Sequence, residues 1–124
     1  ARAGFGGIDN DGNTATATDG GFAVAGSGTD NDGNTATVTN GGFGVGQAQA
    51  LAGVGGGNND GNTATATDGG FAVAGSFGTG NDGNTATATD GGTARAGVGT
   101  TDFVGGTAIA GATQIVTCPT DCVP

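Results

Sequence analysis

Four times in this chain an Asp-Gly pair leads into Asn, and the Asn into a strict alternation of threonine with a small residue. The first copy is Asn13-Thr14-Ala15-Thr16-Ala17-Thr18, and it recurs at 34–39, 62–67 and 84–89 with Val38 as the one departure from alanine. A period of two, with a β-branched residue at every second place, is the pattern of a β-strand and is incompatible with the 3.6-residue period of a helix. In a strand the two sets point to opposite faces. Each copy therefore shows three threonines on one side and two small side chains on the other, and copies stacked in register make a grid of hydroxyl and methyl groups.

Few other architectures are open to such a chain. Of 124 residues 31 are Gly, and the apolar fraction is mostly alanine, so a conventional core of large side chains cannot be assembled. Glycine also raises the entropy lost on folding. High Gly with polar residues is a signature of disorder, but a strict repeat lets identical side chains stack. Each Thr strand is followed by Asp-Gly-Gly or Asn-Gly-Gly and a second alternating segment. These segments are Phe22-Ala23-Val24-Ala25, Phe43-Gly44-Val45-Gly46, Phe71-Ala72-Val73-Ala74 and Thr93-Ala94-Arg95-Ala96. The first threonines fall at 14, 35, 63 and 85, giving repeats of 21, 28 and 22 residues. Two short strands per repeat of this length predict an all-β fold, a β-solenoid of two thin parallel sheets with about 21–28 residues per coil around an Ala/Gly core. The whole of 1–124 reads as one repeat domain, with coils at about 9–29, 30–56, 57–79 and 80–106 and a C-terminal cap at 107–124 that includes a short segment Thr107-Ala108-Ile109-Ala110. Residues 1–8 resemble a partial repeat, and an insertion is expected around 47–54 of the long second coil.

Arginine tells which side of the second strand is wet. Arg2 and Arg95 occupy the column of Val24, and an arginine is poorly tolerated in a thin core. That column faces out and the alanines face in. Val38, the one larger inward residue of a Thr strand, then matches Gly44 and Gly46 on the opposite strand, as close packing requires. The outer face of the second sheet carries Phe22, Val24, Phe43, Val45, Phe71 and Val73, an exposed apolar surface of the kind that meets a partner. Self-association is the expectation.

The net charge of −9 argues against nucleic acid, whose binding needs lysine and arginine, and against an anionic membrane surface. No run of 18 apolar residues is present to span a bilayer. The chain opens Ala1-Arg2-Ala3 without Met, which reads as the mature product of a cleavage. Cys118 and Cys122 read as a small disulfide loop, with only two thiols and no histidine to offer a zinc ion. A disulfide implies an oxidising, extracellular compartment and a secreted protein. With no His or Lys, and serine only at positions 27 and 76, the chain is poor in acid–base and nucleophilic groups, and no enzyme is expected. The repeated Asn-Asp-Gly-Asn turns leave two readings. Asp9-Asn10-Asp11-Gly12 and Asp30-Asn31-Asp32-Gly33 look like the start of a calcium loop, without the glutamate that closes an EF-hand. Asp-Gly and Asn-Gly are also ordinary turn dipeptides, and on that reading the chain needs no metal or other cofactor.

The threonine grid has two calculable spacings, about 6.8 Å from residue i to i+2 and about 4.8 Å between coils. Thr-Ala-Thr-Ala-Thr strands between Gly-rich turns resemble the antifreeze proteins of longhorn beetles, flat β-solenoids with outward Thr-x-Thr rows. In that family the rows order water that merges with ice. The resemblance implies that the partner is an ice surface, and that the contacts are made by Thr14, Thr35, Thr63 and Thr85, by Thr16, Thr37, Thr65 and Thr87, and by Thr18, Thr39, Thr67 and Thr89. Gly78-Thr79-Gly80-Asn81-Asp82 also resembles the repeat of a calcium-dependent bacterial ice-binding adhesin, over five residues. The alternative reading is structural. Threonine suits the wet face of any strand, and the Phe/Val face suits a subunit that assembles into an extracellular filament or surface coat.

Overall fold

The computed structural model describes residues 1–4, 6–19, 21–40, 48–112 and 114–118. Within them the chain is all-β. Ten strands alternate between two five-stranded parallel sheets. One holds β1 (Thr14–Ala17), β3 (Thr35–Thr39), β5 (Thr63–Thr67), β7 (Thr85–Ala88) and β9 (Thr107–Ala110), in that order. The other holds β2 (Phe22–Thr29), β4 (Gln49–Gly57), β6 (Phe71–Ala74), β8 (Thr93–Ala96) and β10 (Ile115–Cys118). Odd strands carry the threonines, and each even strand returns the chain along the opposite side. The result is a β-solenoid of five coils. At its start a bridge between Arg2 and Val24 adds one more rung to the even sheet.

The alternation predicted for the Thr strands is met at every rung. Ala36, Ala64, Ala66, Ala86, Ala88, Ala108 and Ala110 are fully buried, and they face Ala23, Ala25, Ala50, Ala52, Ala72, Ala74, Ala94 and Ala96 of the even sheet. Ala15 and Ala17 on edge strand β1 are only partly covered. A methyl group is all each alanine contributes, roughly 0.8 kcal/mol apiece, so the sheets hold together largely through their backbone ladders and corners. β2 and β4 run past the even sheet into a short third side, where Ser27 meets Val54 and Thr29 meets Gly57. Bridges Gly57–Thr79 and Thr79–Thr101 carry that side onward. The chain turns onto it at Gly26, Gly53, Gly75 and Gly97, all at positive φ. A Cβ there would lie 2.3, 2.5, 2.4 and 2.7 Å from the side chains of Asn13, Asn34, Asn62 and Asn84, so only glycine fits the corner.

Two expectations change in the structure. The even-strand position of the second coil belongs to Gln49-Ala50-Leu51-Ala52, paired with Phe22–Ala25 on one side and Phe71–Ala74 on the other. Phe43-Gly44-Val45-Gly46 is not that strand, and its residues lie outside those described. The reason is the corner, since every even strand preceding one ends in Ala-x-Ala-Gly, and in the second coil only Ala50-Leu51-Ala52-Gly53 supplies it. The expected match to Gly44 and Gly46 lies outside the described residues, whereas Val38 itself is fully buried. Its space is made by Gly21, where a Cβ would fall 1.8 Å from Val38 Cγ1. Finally, the segment expected as a cap extends both sheets, β9 pairing with β7 and β10 with β8 in unbroken register. Cys118 is buried at the end of β10, its Sγ 3.1 Å from the Thr107 carbonyl oxygen. Its expected partner Cys122 lies outside the described residues.

Candidate functional site

Register decides what the odd sheet displays. Thr14, Thr35, Thr63, Thr85 and Thr107 are consecutive partners across β1, β3, β5, β7 and β9. Thr16, Thr37, Thr65 and Thr87 form a second column, which ends at Ile109. The third column contains the pair Thr39–Thr67. Thr18 and Thr89 flank it, their N–H groups donating to Val38 O at 3.0 Å and to Ala110 O at 3.0 Å. All twelve threonines named from the sequence thus stand on one face. Thr14, Thr16 and Thr18 of the first coil are exposed and the others half-buried by their neighbours in the column. Among the described residues none of the twelve hydroxyls takes an intramolecular hydrogen bond, so each keeps its donor and acceptors for whatever lies against the face. The register of this sheet has no bulge, unlike the β2–β4 pair, which slips between Ser27 and Gly28. An unbroken parallel register sets the hydroxyls about 4.8 Å apart between coils, and the rise of a parallel strand sets them about 6.6 Å apart along it.

The opposite face is less uniform than its sequence suggests. Its first column is Phe22, Gln49, Phe71, Thr93 and Ile115, and its second is Arg2, Val24, Leu51, Val73, Arg95 and Thr117. Val24 and Val73 point away from the alanine core, yet they are only 7% and 3% exposed. Each stands between larger column neighbours, Val24 between Arg2 and Leu51 and Val73 between Leu51 and Arg95. Phe22 remains 40% exposed and Phe71 half-buried, with the Arg95 guanidinium 5.7 Å from the centre of the Phe71 ring. Gln49 and Thr93 interrupt the aromatic column. Phe43 and Val45 lie outside the described residues. The apolar surface available to a partner is therefore narrower than a six-residue Phe/Val stripe.

What sequence reasoning missed lies in the corners. The repeated Asn-Asp-Gly-Asn is not simply an acidic turn, because its two asparagines point inward and its aspartate outward. Asn31, Asn34, Asn59, Asn62, Asn81 and Asn84 are completely buried. They form two ladders. In the first, Asn10 Oδ1 accepts the N–H of Asn31, Asn31 Oδ1 that of Asn59, and Asn59 Oδ1 that of Asn81, each at 3.0 Å. In the second, Asn13, Asn34 and Asn62 accept the N–H groups of Asn34, Asn62 and Asn84 at 2.9, 3.0 and 2.9 Å. The amide nitrogens close the coil on itself, as where Asn59 Nδ2 donates to Gly78 O at 3.1 Å and Asn62 Nδ2 to Asn81 O at 2.6 Å. Asparagine is suited to this place because one short side chain carries both an acceptor and donors. The available signal was the recurrence of Asn-Asp-Gly-Asn unchanged in all four repeats while the residue before it varies (Asp9, Asp30, Asn58, Gly80), which marks the corner but does not separate its asparagines from its aspartate.

The aspartates between them make an outer ladder of opposite sense. Asp32, Asp60 and Asp82 each use Oδ1 to accept the backbone N–H of Asp11, Asp32 and Asp60 at 2.6, 2.8 and 2.9 Å. Their carboxylates are thereby engaged along the stack, and among the described residues no three His, Cys, Asp or Glu side chains come together as a metal-binding group. Like charges one coil apart repel, and mobile salt screens them. The melting midpoint is therefore expected to rise between low salt and about 0.5 M sodium chloride, as read by circular dichroism. A flat or falling midpoint would show that repulsion along this edge does not weaken the fold.

Comparison with protein-family models, with curated proteins and with solved structures gave no match.

Proposed function

We propose that the protein binds ice through the threonine face of its odd sheet, acting as a secreted antifreeze protein. The observation that carries this reading is the register. Three columns of threonine, in line over four coils, present hydroxyls and methyls at repeat distances set by the backbone. A ligand that recognises such a face must itself be periodic in two dimensions, and ice is a periodic array of hydrogen-bonding groups. Water held in file along the columns, with each hydroxyl contributing bonds and each methyl limiting disorder, has the arrangement needed to join a growing crystal face. The alanines beneath keep the columns in line, since any side chain larger than methyl would force the sheets apart. The aspartates stand in the turns before and after the Thr strands, where their charge favours solubility.

A single ice crystal grown in a dilute solution of the protein tests the reading. Faceting during cooling, with a gap between the melting and freezing points, is expected. A crystal that stays a smooth disc and grows freely would refute it.

A further inference from the structure

Four ladders run along the stack, and all four end at the coil that contains β9. The first is a column of glycines on the third side. A Cβ on Gly28 would lie 2.1 Å from Gly56 O, one on Gly56 would lie 1.6 Å from Gly78 O, and one on Gly78 would lie 1.7 Å from Thr100 O. At this position a side chain and a following rung exclude each other. The next member of the column is Thr100, which has a side chain and donates its hydroxyl back to Asn81 Oδ1 at 2.7 Å. The second ladder, of Asn10, Asn31, Asn59 and Asn81, ends at Phe103. Its N–H donates to Asn81 Oδ1 at 3.2 Å, but its ring offers no acceptor to a rung beyond. The third, of Asn13, Asn34, Asn62 and Asn84, ends at Gly106, whose N–H donates to Asn84 Oδ1 at 2.8 Å. A Cβ on Gly106 would come within 2.2 Å of Phe103 Cε1, so the ring fills the room that two asparagines share in the coils before it. The fourth ladder, of aspartates, ends at Val104. Lacking a carboxylate there, the Asp82 N–H donates to Phe103 O at 3.1 Å instead.

We propose that Thr100, Phe103, Val104 and Gly106 form a built-in stop, so that no further rung stacks in register beyond β9 and β10, whether it comes from this chain or from a second copy. A parallel solenoid otherwise ends in rows of open N–H and C=O groups that template another chain, and repeat proteins close such ends with atypical terminal repeats. Here the closure is written into one coil at four positions. The strand alternation itself continues through Thr107-Ala108-Ile109-Ala110, so the sheets reach one coil past the last asparagine while the corners that would hold a successor are withdrawn. End-to-end growth of a filament through this end is blocked by the same residues.

The test adds a coil to the full chain. A second copy of residues 75–96, one complete repeat with its asparagine corner, is inserted between Cys118 and Pro119, or between Ala96 and Gly97 as a control. Hydrogen exchange by mass spectrometry reads whether the added coil is folded. Inserted after Ala96 it is expected to be protected; inserted after Cys118 it is expected to exchange at the rate of an unstructured peptide. In the background T100G/F103N/V104D/G106N the insert after Cys118 is expected to gain at least a hundredfold in protection. Protection after Cys118 with the stop intact would overturn the proposal, and needs no change to the stop itself. No gain in the fourfold variant would overturn the assignment to these residues. Should that variant lose protection in the coils before Thr100, the same comparison is made in Thr100→Gly, which only removes atoms.

Discussion

Replacing Asn62 by alanine is expected to lower stability by about 3 kcal/mol and the melting midpoint by on the order of 10 °C. Asn62 is fully buried, and its side chain does two things. Oδ1 accepts the Asn84 N–H at 2.9 Å, and Nδ2 donates to Asn81 O at 2.6 Å and to Asn34 Oδ1 at 3.1 Å. Alanine removes the acceptor from one buried backbone donor and the donor from one buried carbonyl. Each group left unsatisfied away from water costs about 1–3 kcal/mol, and the emptied corner adds a cavity. The loss spreads beyond one coil because each rung templates the next. Asn34→Ala is the informative comparison. Asn34 Nδ2 has no acceptor within the described structure, whereas its Oδ1 serves the Asn62 N–H at 3.0 Å. Alanine at 34 therefore strands one backbone group rather than two, and a smaller loss is expected. Chemical denaturation of both variants measures the difference. An Asn62→Ala protein within about 1 kcal/mol of the parent would mean that the ladders follow the fold rather than hold it.

The sheets were readable in the sequence and the corners were not, for a physical reason. Alternation of Thr and Ala is a local signal, since each residue declares its face by its own size and polarity, and Arg95 in the column of Val24 orients the second strand in the same way. Asparagine and aspartate declare nothing comparable. Both are ordinary turn residues, and only the stacking of coils separates Asn62, which faces inward, from Asp60, which faces out. The slip in the second coil has the same origin. Phe43-Gly44-Val45-Gly46 matches the flanking strands in its Phe and Val, which are outward residues and free to vary. Gln49-Ala50-Leu51-Ala52 matches them in Ala-x-Ala followed by Gly53, the inward residues and the corner. Reading the outward pattern selects the wrong segment. Of the site, the twelve threonines were nameable at once because strand period and outward polarity coincide in them. The covering of Val24 and Val73 was not, because it depends on which side chains stand one coil above and below.

On the threonine face the largest expected effect comes from Thr65→Tyr, which should reduce the gap between melting and freezing points at least tenfold while leaving the fold intact. Thr65 is the middle residue of β5, in the middle sheet position, with Thr37 and Thr87 as its column partners. It is half-buried and turned away from the alanine core. A phenol there stands above the surrounding hydroxyls and holds a planar ligand off the columns on both sides. The backbone has no cause to object, since tyrosine is a good strand residue and outward substitutions usually stay within about 0.5 kcal/mol, or about 3 °C in midpoint. Thr93→Tyr supplies the comparison on the opposite sheet, also at a half-buried outward threonine, the first residue of β8, with Phe71 and Ile115 as its column partners. If ice is bound by the odd sheet, Thr65→Tyr loses activity and Thr93→Tyr keeps it. The reverse pattern would move the binding surface to the Phe/Val side, and equal losses would mean that neither column structure is what the ligand reads. The comparison works because the two faces share one backbone and one core: whatever tyrosine does to folding in general it does in both, and only the threonine columns differ.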